Sequence, residues 1–270
     1  MSLLLACMIN RADLLGEALL EEREALAPVL PDGAGGCGAG FYQAGEVLLR
    51  KRPRPIDGKV DWAGVLDGVR SDLVVAHVRD REQSSTSADD TQPFRMRQWL
   101  MAHVGEIAAA NAMRDRLLSS LPDFVRRNVR GESDSELLFH VLLSFLHDGG
   151  QLDTLDASDA AVVSALRSTA TLIDRHAREL GAPAPGLTLV LENGRQLYAM
   201  RRGAPLWIVE RERLAGRDSG APRNGTPAGA MHYVLVTSGS DDNPPPGYRA
   251  LDDREVVCID RQLQVRSEGL

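Results

Sequence analysis

The sequence predicts an α+β fold with two packed, mostly antiparallel sheets and helices outside them. Strand-like segments lie early and late in the 270 residues, whereas the middle of the chain carries apolar residues at helical spacing. No internal repeat is present, and a chain of this length can bury one sizeable core. We therefore expect one domain over residues 1–270, in which strands of 187–270 complete the sheets begun in 1–181.

The first third of the chain alternates short apolar segments with glycine-rich and polar ones. "LLLACMI" is apolar throughout and predicts a buried strand, whereas "LLGEALLEEREALAP" has apolar positions at helical spacing. In order, the predicted elements are a strand at 2–9, a helix at 13–27, a glycine-rich turn followed by a hairpin at 32–53, a helix at 60–71, a strand at 72–79 and a polar loop at 80–93.

The middle of the chain is mostly helical and its end is mostly strand. The hairpin in this part is placed by an Asn-Gly turn, because both residues tolerate positive φ. "PLWIVER", "MHYVLVTS" and "EVVCIDRQLQV" add three or four further strands. The other predicted elements are a segment at 98–110 that starts as a strand and turns helical, helices at 109–128, 134–147 and 157–180, the hairpin at 187–201, and exposed loops at 217–230 and 240–247.

Composition and charge argue against several classes of partner. The net charge of −7 and the pI of about 5.4 disfavour a nucleic-acid partner, which requires a basic surface. The one basic run, "LLRKRPRP" at 48–55, carries two prolines and is interpreted as a solvated strand end. No apolar run approaches the roughly 18 residues of a membrane span. "LLLACMI" also lacks the positive flank and cleavage site of a signal peptide. We expect no membrane partner and a cytoplasmic location.

Cysteine and histidine usage predicts neither disulfides nor a metal site. Cys7, Cys37 and Cys258 are too few and too scattered for a zinc site or a disulfide framework, and they suit reduced thiols in the cytoplasm. The six histidines include no HExxH motif, and His140 and His147 are interpreted as helix-face residues. No metal or other cofactor is therefore expected.

Four stretches carry the chemistry that the sequence suggests. They are the N-terminal strand, "GCGAGFY" (36–42), "AHVRD…TQPF…QWLMAHVGEI" (76–107) and "GESDSE" (131–136). Their order and spacing resemble the class II glutamine amidotransferases of the N-terminal-nucleophile hydrolase superfamily, and most closely the compact stand-alone members. The resemblance is specific over 1–147 and thinner afterwards. It implies a four-layer αββα sandwich.

The resemblance implies a catalytic role for the apolar N-terminus. It implies that Met1 is removed and that residue 2 attacks the side-chain amide of glutamine, with its own α-amino group as the base. An α-amine has a pKa of about 7.7–8.0 and can accept a proton near neutral pH. Ser2 stands at that position, and serine is small enough for Met1 to be removable. The alternative is a strand with a purely structural role.

Two charged motifs match the family's substrate-holding residues. The "HVR" motif ends at Arg79, which the resemblance implies pairs with the substrate carboxylate. The planar fork of a guanidinium suits that task. The "DSE" motif begins at Asp134, which the resemblance implies takes the substrate ammonium. The alternative is that Arg79 merely ends a strand and Asp134 caps the following helix. Both interpretations can hold at once.

The reacting end of the site departs from the family pattern. The family's "HNG", whose asparagine and glycine form the oxyanion hole, appears as His103-Val104-Gly105, which we place at the substrate. Gly105 would be the surviving donor, because valine offers none. Losing one such donor costs on the order of 100- to 1000-fold in rate. Ser2 also replaces the family's cysteine, and Leu3 its arginine.

Further departures lie around the same motifs. The loop after Arg79 reads "DREQSS" (80–85), the family's "NxHPF" reads "DTQPF" (90–94), and its "DGWG" reads "GGCG" (35–38). In an alternative interpretation, Met1-Ser2-Leu3 is a remnant of recombinant expression that replaced Met-Cys-Arg. That would make position 2 uninformative, but it would leave Val104 and the altered loop unexplained.

Together these motifs predict an amidohydrolase of the class II amidotransferase type, with an impaired or repurposed site. Its substrate would carry an α-amino-acid head group, as glutamine and γ-glutamyl amides do. The alternative is a catalytically inactive protein that binds such a head group or a partner protein. A third hypothesis is a glutaminase that passes ammonia to a synthase, which would have to be a separate partner because the chain contains no synthase domain.

Overall fold

The strands of the chain form two antiparallel sheets. The computed structural model describes residues 2–27, 34–54, 63–80, 85–214 and 230–270. Its strands are β1 (Leu3–Ile9), β2 (Ala34–Gln43), β3 (Glu46–Arg52), β4 (Leu73–Asp80), β5 (Phe94–Met96), β6 (Trp99–Val104), β7 (Thr188–Glu192), β8 (Leu197–Met200), β9 (Leu206–Leu214), β10 (Ala230–Ser238), β11 (Arg249–Ala250), β12 (Glu255–Ile259) and β13 (Val265–Gly269). The seven-stranded sheet has the order β11-β9-β10-β1-β4-β2-β3, and the six-stranded sheet has the order β13-β12-β8-β7-β6-β5.

Helices cover the outer face of each sheet. They are α1 (Leu15–Glu21), α2 (Arg23–Leu26), α3 (Ala110–Ser120), α4 (Asp123–Arg126), α5 (Asp134–Asp148) and α6 (Asp159–Glu179). One apolar cluster joins α1 and α2 to the seven-stranded sheet, and another joins α3, α5 and α6 to the six-stranded sheet. A third cluster fills the space between the sheets. The layers therefore run helix, sheet, sheet, helix, and the predicted αββα sandwich is confirmed.

The N-terminal strand occupies the centre of this arrangement. All seven residues of β1 are buried, because β4 and β10 flank it in the sheet and apolar clusters cover both of its faces. A near-continuous apolar run is typical of a strand covered on both faces. Strands from the second half of the chain enter both sheets, since β10 pairs with β1 and β7 pairs with β6. No helix in the described ranges combines the length and apolarity needed to cross a bilayer.

The glycine-rich segment is a strand, and the prediction of a turn there is wrong. Residues 34–43 form β2, and the hairpin to β3 turns at Ala44 and Gly45. Gly36, Gly38 and Gly40 alternate along β2 opposite Arg79, His77 and Val75 of β4. They therefore lie on the face directed between the sheets. Without side chains there, the 85–93 loop and Leu100 can approach the strand backbone.

Three helix predictions also need correction. Of the helix expected at 60–71, residues 60–62 lie outside the described residues, and 63–65 form a single 3₁₀ turn that is followed by Gly68 at φ +67°. The helix expected at 109–128 divides into α3 and α4 at Pro122, because proline lacks an N–H and restricts the residue before it. At 98–110 the strand β6 ends at Val104, and α3 begins only at Ala110. Most of the loop predicted at 217–230, and residues 81–84 of the loop predicted at 80–93, lie outside the described residues.

Replacing Gly38 with alanine is expected to destabilise the fold by roughly 1–3 kcal/mol, the usual range for overpacking. A Cβ at this position would overlap the carbonyl oxygen of Gln92, which is backbone and cannot swing aside. Gly16→Ala is the matched control, because a Cβ there meets nothing within 4 Å and Gly16 lies in α1. The control should stabilise by roughly 0.5–1 kcal/mol. Urea unfolding of both variants measures this, and equal stabilities would contradict the close approach.

Candidate active site

Ser2 lies at the start of β1, where hydrogen bonds from both neighbouring strands hold it. The backbone N–H of Asp80 donates to Ser2 Oγ at 3.4 Å. On the other side, Ser238 Oγ accepts from the N–H of Leu4 at 3.0 Å and donates to the Ser2 carbonyl at 3.5 Å. Ser238 is buried, and Ser2 is half-buried. The start of the described chain is therefore held between β4 and β10.

The register of the strands brings Ser2 next to Arg79. Leu4 pairs with His77 in the antiparallel ladder, so continuing the register by two residues puts Ser2 beside Arg79. The Leu4 side chain packs between the sheets, and alternate residues of a strand point the same way, which directs Ser2 into the same space. His77 and Arg79 line a small cavity of about 10 Å³ there, which has room for about one water molecule.

Two histidines and Arg79 share one weakly solvated region. Burial is the main cause that lowers the pKa of His77 to about 3. The positive charge of Arg79 and the nearby His103 act in the same direction. Burial is also the main cause of a lowered pKa at His103, where Arg79 acts in the same direction. Both imidazoles are therefore neutral at physiological pH, and Arg79 carries the positive charge at this end of the sheets.

His103 faces the helices rather than the space between the sheets. Its Nδ1 lies 2.9 Å from Ser135 Oγ, and its Nε2 lies 2.9 Å from the Gly186 carbonyl, to which it donates. Both ring nitrogens are thus engaged within the protein, and the ring is buried. Its neighbour Val104 takes the inner face instead, and the expectation that His103 contacts substrate stays a prediction. Within the described residues, no group of three His, Cys, Asp or Glu side chains could hold a metal ion.

Asp134 opens α5 and connects this helix to the loop after β6. Its Oδ2 accepts from the N–H of Ile107 at 3.2 Å, and its Oδ1 accepts from the N–H of Ser135 at 2.7 Å. The N-cap of the helix is Ser133, whose side chain accepts from the N–H of Glu136. The alternative in which Asp134 is the cap is therefore wrong by one residue. The half-buried carboxylate holds the loop that contains the predicted oxyanion donor.

Val104 and Gly105 end β6 with quite different surroundings. Val104 is half-buried and packs against the apolar cluster between the sheets, to which Leu4 also belongs. Gly105 has φ +146°, and a Cβ on it would overlap the Gly186 carbonyl. The backbone turns sharply at Gly105 because glycine alone tolerates both conditions easily. Since β6 packs opposite β1 and β4, this turn lies at the same end of the sheets as Ser2.

The predicted site residues therefore form two groups. Ser2 and Arg79 lie together, just before β1 and on β4, whereas His103, Val104, Gly105 and Asp134 lie at the end of β6, just after it and at the start of α5. The influence of Arg79 on the pKa of His103 connects the two groups electrostatically.

Two residues that connect the 85–93 loop to the second group could not be recognised from the sequence. The Gln92 side chain donates to the His103 carbonyl at 3.0 Å and accepts from the His103 N–H at 2.6 Å. Asp90 accepts from the N–H groups of Glu132 and Ser133 at 2.8 and 3.1 Å. The motif "DTQPF" contained both side chains, and it was treated only as a departure from a pattern.

The fold by itself indicates the broad class of protein to which this chain is similar. An αββα sandwich whose N-terminal strand lies centrally is the fold of the N-terminal-nucleophile hydrolases. The family model "Glutamine amidotransferases class-II" matches residues 5–216. The chain belongs to the class II glutamine amidotransferases, and the resemblance inferred from the sequence is confirmed.

Solved structures share the fold at low sequence identity. A glutamine aminotransferase class-II domain protein from Silicibacter pomeroyi is 16% identical with a TM-score of 0.62, and the match covers 99% of each chain. A predicted glutamine amidotransferase from Pseudomonas aeruginosa PA01 is 15% identical with a TM-score of 0.54, again over 99% of each chain. The PRPP amidotransferase of B. subtilis is 15% identical with a TM-score of 0.53, and this chain spans 49% of its length. No curated protein matches the sequence.

Proposed function

We propose that this protein hydrolyses the side-chain amide of glutamine or of a γ-glutamyl compound, with Ser2 as the nucleophile. The observation that carries the proposal is the position of Ser2 at the start of a central strand, in register beside Arg79 and directed between the sheets. The Asp80 N–H that donates to Ser2 Oγ orients the hydroxyl and leaves its proton free to be removed. A purely structural strand end has no need of a guanidinium at this point.

The proposed reaction uses the amino group that removal of Met1 exposes. This α-amine takes the Ser2 hydroxyl proton while Oγ attacks the amide carbon, and the carbonyl oxygen becomes an oxyanion facing the Gly105 N–H. The C–N bond then breaks, and ammonia from glutamine, or the amine of a γ-glutamyl compound, leaves with the proton held by the α-amine. Water attacks the resulting ester under the same base, which releases the γ-carboxylate and regenerates the serine.

Substrate recognition follows from the two charges. Arg79 would pair with the α-carboxylate through its planar fork, and Asp134 would accept from the α-ammonium. In this proposal His103 acts indirectly, because its ring binds Ser135 beside Asp134 and fixes the start of α5. Val104 would contact the substrate through its methyl groups alone.

One observation favours a second candidate, a protein that binds an amino-acid head group or a partner protein without turnover. Val104 packs its side chain into the apolar cluster at the place where the family has an asparagine donor. A thiol nucleophile is also missing at position 2. A glutaminase that feeds a separate synthase is compatible with the first candidate and needs a partner of its own.

The test uses protein whose serine N-terminus has been verified by intact mass. We expect slow release of ammonia from glutamine, or of the amine from a γ-glutamyl amide, and loss of that release to the uncatalysed background in Ser2→Ala. Alanine also permits removal of Met1, so this variant keeps the α-amine and loses only the hydroxyl. Release that persists in Ser2→Ala would contradict the nucleophile.

Thermal-shift titration separates the two candidates. A ligand at about 100 times its Kd adds roughly 2.7 kcal/mol of stability. Stabilisation by glutamine without ammonia release would favour the binding protein, and Arg79→Met should abolish it. If glutamine and γ-glutamyl amides neither react nor shift the melting temperature, both candidates fail for this ligand class.

A further inference from the structure

A larger cavity, separate from the candidate active site, opens where the edges of the two sheets meet. It measures about 600 Å³ and lies between β3, the edge strand of one sheet, and β5, the edge strand of the other. The chain after α4 and the first two turns of α5 complete its walls. Sites for small molecules usually occupy about 300–1,000 Å³, so this cavity has the volume of a ligand site.

Four cationic side chains line this cavity in a chain whose net charge is −7. They are Lys51, Arg95, Arg97 and Arg130. Lys51 comes from the basic run "LLRKRPRP", which the proposed function leaves unused. Among the described residues, the same lining contains two carboxylates, those of Asp89 and Glu136.

Most of these cations lack a carboxylate partner. Lys51 donates to the Ala88 carbonyl at 3.1 Å, and Arg95 donates to the Val47 carbonyl at 3.0 Å. Within the described residues, no carboxylate forms an ion pair within 4.0 Å of Lys51, Arg95 or Arg130. Backbone carbonyls hold these groups in place without cancelling their charge. The lining therefore keeps positive charge available for a ligand.

The carboxylate of Glu136 is already committed to the protein. It accepts from the backbone N–H groups of Arg130 and Gly131 at 3.0 and 2.7 Å. Arg97 is the cation with an acidic partner, since it pairs with Asp153. Its guanidinium also lies 5.4 Å from the centre of the Phe124 ring, which fixes one wall of the cavity.

His140 lines the cavity but keeps an unpartnered acceptor inside the protein. The side chain is 2% exposed, and its Nδ1 donates to the Glu136 carbonyl at 2.9 Å. Burial lowers the pKa of His140, so the ring is neutral and Nε2 is a bare acceptor. This Nε2 has no hydrogen-bond partner in the described part of the chain, and it is itself fully buried, so a ligand in the cavity does not reach it.

We propose that this cavity binds a small organic anion. Its carboxylate or phosphate group lies against Lys51, Arg95 and Arg130. Carboxylate and phosphate share the geometry that a guanidinium recognises, so either group fits the cationic wall. The proposal is independent of the reaction at Ser2.

Isothermal titration calorimetry of the full chain, at constant ionic strength, tests this with three probes. Citrate and tricarballylate each offer three carboxylates, and glycerol 3-phosphate offers a phosphate. We expect citrate or glycerol 3-phosphate to bind, and which of them binds identifies the anionic group. If citrate is the better ligand, tricarballylate should bind within about threefold of it, because the carboxylates carry the binding. Heats no larger than those of chloride for all three probes would overturn the proposal.

Variants locate the binding. Arg95→Gln and Lys51→Met should each weaken the better probe at least tenfold, and the two variants provide independent tests should one fold poorly. Arg175→Gln is the matched control, because it removes the same charge from an arginine on α6 that is 60% exposed. Far-UV circular dichroism and the urea midpoint verify folding. Equal weakening in Arg175→Gln would assign the binding to general electrostatics and overturn the site.

Discussion

Replacing Val104 with asparagine is expected to raise the rate of ammonia release from glutamine on the order of 100-fold. Val104 ends β6 and directs its side chain between the sheets, where Ser2 begins β1. In the proposed reaction the oxyanion forms against the Gly105 N–H alone. An asparagine amide at position 104 adds a second donor beside it, and one donor of this kind is worth about 100- to 1000-fold in rate.

The asparagine should be tolerated, because Val104 is only half-buried. Its amide can keep contact with solvent or with substrate, so we expect a loss of about 1–2 kcal/mol in the free energy of unfolding. Initial rates at saturating glutamine, on protein with a verified serine N-terminus, measure the gain in kcat.

Val104→Ala is the control for this experiment. It removes the same packing without adding a donor, so its rate should stay at the level of the unmodified protein. An equal rise in both variants would mean that loosening the cluster, rather than a new donor, increases the rate. No rise with asparagine would contradict the position of the oxyanion at the end of β6.

The elements that could be predicted from the sequence are those whose secondary structure is determined by their own residues. β1 is apolar at every position, α5 is long and mostly apolar, and α6 is long with apolar residues at helical spacing, so their patterns admit one interpretation. β2 could not be predicted, because its glycines are typical of turns. They are required here by the approach of Leu100 and the Gln92 carbonyl, and both lie far away in the sequence.

The same limit applies to the candidate site. Arg79 and Asp134 can be proposed from the sequence because each belongs to a short motif. The same kind of motif places His103 and Val104 together at the substrate, although neighbours on a strand point to opposite faces, and only one of them can face Ser2. Ser238, which holds the Ser2 carbonyl, is separated from it by 236 residues, and no local pattern records that contact.

The buried carboxyl of Glu192 is expected to make the protein less stable as pH rises. Glu192 ends β7 on the face directed between the sheets, is fully buried, and has no hydrogen-bond partner for either oxygen in the described residues. Burial, and then the negative charge of Asp72, raises its pKa well above the ordinary value of 4.5. The charge of an ionised Glu192 would in turn raise the pKa of Tyr42.

The pH dependence follows from proton binding by the two states. Below about pH 4.5 the carboxyl is protonated in the folded and unfolded chain, and it adds no pH dependence. Above that pH the unfolded chain releases the proton while the folded protein retains it. The free energy of unfolding should then fall by about 1.4 kcal/mol per pH unit until the raised pKa of the folded state is reached.

Two substitutions at Glu192 separate the effect of its ionisation on stability from the effect of its unpaired oxygens. Glu192→Gln cannot ionise in either state, so the stability of the unmodified protein relative to this variant should fall between pH 5 and pH 8. Glu192→Leu also removes the unpaired oxygens, and it should be more stable than Glu192→Gln by roughly 1–3 kcal/mol at every pH. Glu268→Gln, at an exposed position of β13, should leave the pH dependence unchanged. Urea unfolding across this pH range measures the free energy of unfolding of all four proteins. Parallel curves for the unmodified protein and Glu192→Gln would mean that the carboxyl reaches a partner or solvent, and would contradict its isolation between the sheets.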